Sequence, residues 1–529
     1  MIRYKIVPSS PHAHLFRIDM TIPAPSPVGQ VLSMPAWIPG SYMIRDFAKN
    51  IVTIAAHCGG VPVKLEKLDK QTWRCEPCDA ELVICYEVYA WDFSVRSAHL
   101  DTTHGYFNGT SVFLKAVGRE HDNCKIEILP PSGHRYRDWR VATTLSTDGA
   151  THQGFGAYQA ADYEEVIDHP VEMGNFSHAV FQVSGVEHEI VITGRHRADM
   201  QRLCTDLKAI CEPHASLYGG LPPMERYLFQ VMAVGEGYGG LEHRSSTSLI
   251  CKRSDLPVAG EEKVGAGYRR FLGLCSHEYF HLWNVKRIKP LVLQKADLST
   301  EVYTRLLWAF EGITSYYDDL ALVRSGRVDV EGYLQLLAET ITRVVRCSGR
   351  LKQTLSDSSF DAWTKFYKQD ENSPNAIISY YAKGALVALL LDLTIRQRTE
   401  GEKSLDDLMF ALWEGHGRSG IGVEESGIEH LAQQVTGLDL HDFFDATLRS
   451  TAELDLERAL TSVGVGYRLR PARGPQDQGG LRQDDDKQTG PSAVLGIRHE
   501  MQGNDLRVTH VFDGGAAQQA GLSAGDIIL

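Results

Sequence analysis

Residues 276–284 read Ser276-His277-Glu278-Tyr279-Phe280-His281-Leu282-Trp283-Asn284, a His-Glu-x-x-His pattern inside a run with helical character. On an α-helix His277 and His281 are four residues apart, so both imidazoles project from one face. Two neutral imidazoles at that spacing can share one Zn²⁺. Glu278, one position on and about 100° round the helix, can reach a water beside the metal without being a ligand. An apolar helix interior is a costly place for three ionisable side chains that have no partner. The stretch therefore predicts the metal, water and base of a zinc hydrolase.

The rest of the composition bounds this reading. A chain of 529 residues exceeds one hydrophobic core and predicts two or three domains. The apolar share of 43% and charged share of 23% place it among ordinary globular proteins. A net charge of −13 argues against a nucleic-acid partner. The opening residues, Met1 to Pro8, lack the apolar core of a signal peptide. The longest apolar run, near Ala385 to Ile395, contains Asp392 and is too short to span a bilayer. A cytoplasmic protein without a membrane partner is expected. Cys75-Glu-Pro-Cys78 is the only C-x-x-C pattern and has no second pair at zinc-ribbon spacing. The other cysteines read as small apolar residues of a reducing compartment.

Residues 1–168 alternate apolar and polar positions, as in Leu82 to Trp91 and Lys125 to Leu129, with turn residues between. They predict an N-terminal β-sandwich-like domain. Within it Trp37, Arg45, Asp46 and the segment His99 to Tyr106 are candidates for a cleft border, or for core and turn roles. Phe181 to Arg195 reads as one strand, and Met200 to Cys211 as a helix. An apolar strand from Tyr227 to Val234 runs into Gly235-Glu236-Gly237-Tyr238-Gly239-Gly240-Leu241-Glu242-His243, where glycines let the backbone turn sharply or approach a ligand. A strand resumes at Ser248. The His-Glu-x-x-His helix is expected over about 265–285, a second helix over 301–324, and largely helical chain from 329 to 450. Strands followed by helices predict an α+β catalytic domain over 169–470. Residues 471–490, rich in Gly, Gln and Asp, predict a flexible linker, and 491–529 carry two short strands.

Zinc in a hydrolase takes three protein ligands and keeps a fourth position for water. Glu311 is the best third candidate. It lies far enough beyond His281 for one helix to end and another to return alongside, and its neighbours Trp308, Phe310 and Ile313 are apolar. Asp318 and Asp319 are alternatives.

Together, His277 to Ile288 and Trp308-Ala309-Phe310-Glu311-Gly312 resemble the bacterial glycyl aminopeptidase family, zinc peptidases related to aminopeptidase N. Pro35 to Tyr42 is similar to the family's N-terminal domain, and Asp168 to Gly174 to the start of its catalytic domain. The resemblance implies a thermolysin-like peptidase domain, one zinc ion per chain, and a glutamate on the following helix as third ligand. It implies peptide substrates with a free N-terminus, with Gly or Ala preferred. Gly239-Gly240-Leu241-Glu242-His243 is similar to the Gly-x-Met-Glu-Asn segment of those relatives, which makes Glu242 the anchor of the substrate amine; His243 and Leu241 depart from that pattern. Tyr380-Tyr381-Ala382-Lys383-Gly384 is similar to their Tyr-x-Lys-Gly segment. It makes Tyr381, or failing it Tyr380, the donor to the oxyanion. Residues 491–529 resemble a truncated PDZ domain that would bind a peptide C-terminus. Competing functions are a zinc endopeptidase with PDZ-presented substrates and a non-catalytic PDZ scaffold with structural zinc.

Overall fold

The computed structural model describes residues 1–474, 476–482 and 493–529. Nine residues of the expected linker, 475 and 483–490, and the first two of the expected PDZ-like piece lie outside the described residues. The chain divides into two compact units. One comprises 1–215, 220–282 and 297–301; the other comprises 216–219, 283–296 and 302–529.

The first unit is β-rich. Strands Ile2–Ser10, Leu15–Ile22, Leu82–Tyr89 and Ile51–Cys58 lie side by side within an eight-stranded sheet. Their alternation is plain: in Ile2–Ser10 every second residue from Ile2 to Ile6 is buried, and in Leu82–Tyr89 Leu82, Ile84, Tyr86 and Val88 are. Period-2 burial of this kind gives a sheet one core face. Two four-stranded sheets complete the N-terminal part. One of them pairs Ala98–Leu100 with His104–Phe107.

A five-stranded sheet follows, in the order Ser177–Val183, Val186–Thr193, Arg226–Val234, Ser246–Lys252, Gly239–Glu242. Its three central strands are parallel and both outer strands antiparallel. The single strand expected over 181–195 is instead a hairpin. Ser184 and Gly185 turn it at φ 48° and 83°, and the alternation simply continues on either side. A second departure concerns cysteine. Cys78 is bonded to Cys58, not partnered with Cys75, which is buried and free.

The second unit is mainly helical. The expected helix over 301–324 begins late: Trp308–Gly312 forms a π-helical turn and Ile313–Arg324 an α-helix. Glu425 holds the preceding segment extended, accepting from Thr304 Oγ1 (2.6 Å) and the Arg305 N–H (2.9 Å). The helix Ala382–Arg398 is buried nearly all round. No helix among the described residues is long and apolar enough to cross a membrane. The last residues form a three-stranded sheet, Ile497–Gln502, Asp505–Val511 and Ile527–Ile528. It docks on Asn375, whose Nδ2 donates to the Val511 carbonyl (2.8 Å) and whose Oδ1 accepts from the Asp513 N–H (3.0 Å).

Candidate active site

In the first unit the site grows from the helix Ala266–Phe280, with His281 at its C-terminal cap. The His277 and His281 rings have centroids 4.7 Å apart and stand edge to face. Glu278 and His281 are buried, at 5% and 1% exposure. The opposite face fixes the helix on the sheet. Tyr279 stacks on Phe229 and meets Tyr227 edge-on. Its hydroxyl donates to His188 Nε2 (2.9 Å), while His188 Nδ1 donates to the Val186 carbonyl (3.0 Å). Ser276 Oγ lies 2.9 Å from His214 Nε2, and Tyr268 donates to Asp206 (2.7 Å). Burial pushes the His188 imidazole down to about 4, so it remains the neutral acceptor that Tyr279 needs.

The edge strand Gly239–Glu242 supplies the other half. Strand alternation sends Leu241 into the core and Gly240 and Glu242 to the opposite face. Gly240 offers bare backbone to the helix: a Cβ there would lie 2.1 Å from Glu278 Oε1. Glu242 is buried at 4% exposure. One donor atom each from Glu242, Glu278 and His281 lies within 4.8 Å of the others. Two imidazoles beside carboxylates form the nitrogen and oxygen donor set that zinc takes, so these residues fit that metal.

Two N-terminal segments of the same unit close on this strand. Arg96 Nη2 donates to the Gly240 carbonyl (3.2 Å). Gly40, at φ +89°, comes so near Glu242 that a Cβ would fall 2.3 Å from Oε1. The Gly40 turn is held from behind: Ala36 N–H donates to Leu298 O (2.7 Å) and Trp37 Nε1 to Thr300 O (2.9 Å). Of the cleft-border candidates, Trp37 and Arg45 thus serve the turn; Arg45 Nη2 donates to Ser41 Oγ (2.8 Å).

In the second unit Glu311 sits in the π-helical turn, 2% exposed. A π turn leaves carbonyls out of register with the α-helical ladder. Asn284 takes up that slack: its Nδ2 donates to Ala309 O (3.2 Å), Phe310 O (3.3 Å) and Thr314 Oγ1 (3.1 Å). The helix Ala382–Arg398 crosses this turn glycine to glycine. A Cβ on Gly312 would lie 2.6 Å from Gly384 Cα. That crossing brings Tyr381 to Glu311. Burial first, then the Glu311 carboxylate, push the Tyr381 phenol well above its ordinary range, so it remains a hydrogen-bond donor. Tyr380 is fully buried and packs on Phe366. Asp318 and Asp319 lie further along, half-buried, near Tyr333, whose phenol is raised first by burial and then by the charges of Asp319, Asp392 and Asp318. Gly40, Arg96 and Asn284 escaped the sequence reading, since each acts through contacts remote in the chain.

Residues 3–175 match the family model of the peptidase M61 N-terminal domain, and residues 270–387 match that of the M61 glycyl aminopeptidase. A crystal structure of an aminopeptidase N family protein from Idiomarina loihiensis is similar with a TM-score of 0.95 at 39% identity, covering 99% of this chain and 88% of that one. An M1 zinc metallopeptidase from Deinococcus radiodurans shares the fold at 13% identity, with a TM-score of 0.53 over 86% of this chain and 94% of that one. A mutant of it bound to a Tyr-Ser-Ala substrate gives 0.50 at 14% identity, over 86% and 94%. No curated protein sequence matches the chain. Fold and site define a metallopeptidase that acts on peptides. The chain belongs to the M61 glycyl aminopeptidase family.

Proposed function

We propose that the chain is a zinc aminopeptidase that removes N-terminal residues, Gly or Ala by preference, from peptides with a free amine. His277, His281 and Glu311 would hold one zinc ion. When bound, zinc supplies Lewis acidity that acidifies a water and polarises the scissile carbonyl. Glu278 takes the proton of the attacking water on its carboxylate and passes it to the leaving amine. Tyr381, held protonated, donates from its hydroxyl to the developing oxyanion. Glu242 pairs with the substrate's cationic α-amine, and Gly239 and Gly240 offer backbone to the peptide at the strand edge.

The observation that carries this reading is the Glu278 carboxylate seated on the bare backbone of Gly240, with Glu242 beside it. A structural metal site has no use for a second and third buried carboxylate. The five-stranded sheet with its antiparallel edge strand supports a thermolysin-like catalytic domain over 169–470. The Ile497–Gln502 strand is one of the two outer strands of its sheet among the described residues, which supports a PDZ-like module able to accept an extended peptide.

The test is hydrolysis of glycyl and alanyl anilides by wild type and Glu278→Gln. Wild type should cleave them, leave N-acetylated analogues intact, and lose activity to a chelator. Glu278→Gln should keep its zinc and lose turnover by several orders of magnitude. Cleavage of acetylated peptides at a comparable rate would favour an endopeptidase.

A further inference from the structure

We propose that His99, Asp101 and His104 form a second metal site, for a divalent first-row ion such as zinc. The three residues belong to one hairpin of the first unit, strands Ala98–Leu100 and His104–Phe107, and none is among the His-Glu-x-x-His residues. One donor atom from each lies within 4.8 Å of the other two.

His99 carries the argument. It is 3% exposed, and neither ring nitrogen makes a hydrogen bond. A buried imidazole in that state costs free energy unless something takes its lone pair. Its Nε2 lies 3.6 Å from Asp101 Oδ2. That is too long for a hydrogen bond. It is close to the spacing of about 3.3 Å between two ligands on a tetrahedral ion with bonds of about 2.05 Å.

The other two ligands are set for the role. Asp101 Oδ1 accepts from the Thr103 N–H (2.6 Å), Thr103 Oγ1 (2.6 Å) and the His104 N–H (3.0 Å). These bonds lock the carboxylate and turn Oδ2 to His99. His104 Nδ1 donates to Glu172 Oε1 (3.1 Å), which also accepts from Thr193 Oγ1 (2.9 Å). His104 Nε2 is therefore the nitrogen left for a metal. A carboxylate behind a ligating histidine is the usual support of such a ligand. The Glu172 pair alone would account for His104; it does nothing for His99. Trp91 and Phe93 flank the His99 ring. The Asp101 side chain is 30% exposed and gives an ion a way in.

The test is the number of zinc equivalents bound by the full chain, measured by calorimetric titration of chelator-stripped protein. His99→Gln should remove one equivalent that His281→Ala retains, while His99→Gln protein keeps its peptidase activity. Asp101→Asn preserves the turn through its remaining carbonyl oxygen and should weaken the same equivalent at least tenfold, which covers the case of a His99→Gln chain that does not fold. Wild-type stoichiometry and affinity in Asp101→Asn, or in a folded His99→Gln chain, would overturn the proposal. Because the readout is the equivalent that His281→Ala leaves in place, it stands or falls apart from the aminopeptidase reading.

Discussion

Gly240 and Glu278 compete for one volume: a Cβ on Gly240 would lie 2.1 Å from Glu278 Oε1. The helix can seat its carboxylate against the edge strand only while residue 240 has no side chain. Gly240→Ala should therefore displace Glu278 by an ångström or so, costing on the order of 10²-fold in kcat. The melting temperature should stay within a few degrees, since the flexible Glu278 side chain moves before any backbone does. Anilide kinetics alongside thermal unfolding check this; unaltered kcat would mean that Glu278 does not act from this seat.

Gly40 stands in the same relation to Glu242, with the added constraint of φ +89°. An alanine there is strained and pushes on the carboxylate that would hold the substrate amine. Gly40→Ala should lower kcat/KM for a free-amine substrate by tenfold or more. That fits the loss of a charge-assisted hydrogen bond of about 1.5–3 kcal/mol. Glu242→Gln should reproduce the loss, and the double variant should add little to either single change.

Asn284 is the side chain that satisfies the π-helical turn around Glu311. Asn284→Ala leaves a buried carbonyl, that of Ala309, without its side-chain donor, at about 1–3 kcal/mol. Denaturant unfolding should show that loss. Zinc affinity should fall with it, because the turn that presents Glu311 is no longer held.

The glycine crossing offers a sharper probe of the same region. At Gly384 a Cβ would lie 2.9 Å from both Gly312 Cα and the Trp308 carbonyl, and neither is a flexible side chain that can move aside. Gly384→Ala should destabilise the chain by about 1–3 kcal/mol through overpacking, read from the shift of the unfolding midpoint. It should also lower kcat by moving Tyr381 away from Glu311. An unfolding midpoint equal to that of wild type would mean the two helices are not in contact there.

What was legible in the sequence was local. The i, i+4 histidines needed only helical periodicity, and the β-rich N-terminal part announced itself in the alternation of Ile2–Ser10 and Leu82–Tyr89. Glu242 and Tyr381 were legible through the resemblance of two short segments to those of aminopeptidase N relatives, not from periodicity. The misreadings have separate causes. The Ser184-Gly185 turn had a local signal in its Ser-Gly dipeptide, hidden by alternation that continues on both sides, whereas the extended segment before Trp308 is held by Glu425, which is remote in the chain. Gly40 against Glu242, Arg96 against Gly240 and Cys58 with Cys78 are pairings that only the folded chain makes.

His188 gives a prediction with a definite sign. Its folded pKa is lowered to about 4 by burial, against roughly 6.5 in an unfolded chain. Between those values the unfolded chain binds a proton that the folded chain refuses, so stability falls as pH falls from 6.5 towards 4. At about 1.4 kcal/mol per pH unit, the loss attributable to His188 is roughly 3 kcal/mol across the window. His188→Gln removes that titration and the hydrogen bond that Tyr279 donates to it. Wild type should therefore be the more stable of the two at pH 7, and the gap should narrow steadily down to pH 4. Denaturant midpoints at pH 7, 5.5 and 4.5 test this; a gap independent of pH would mean that His188 is not held neutral beneath the helix that carries His277, Glu278 and His281.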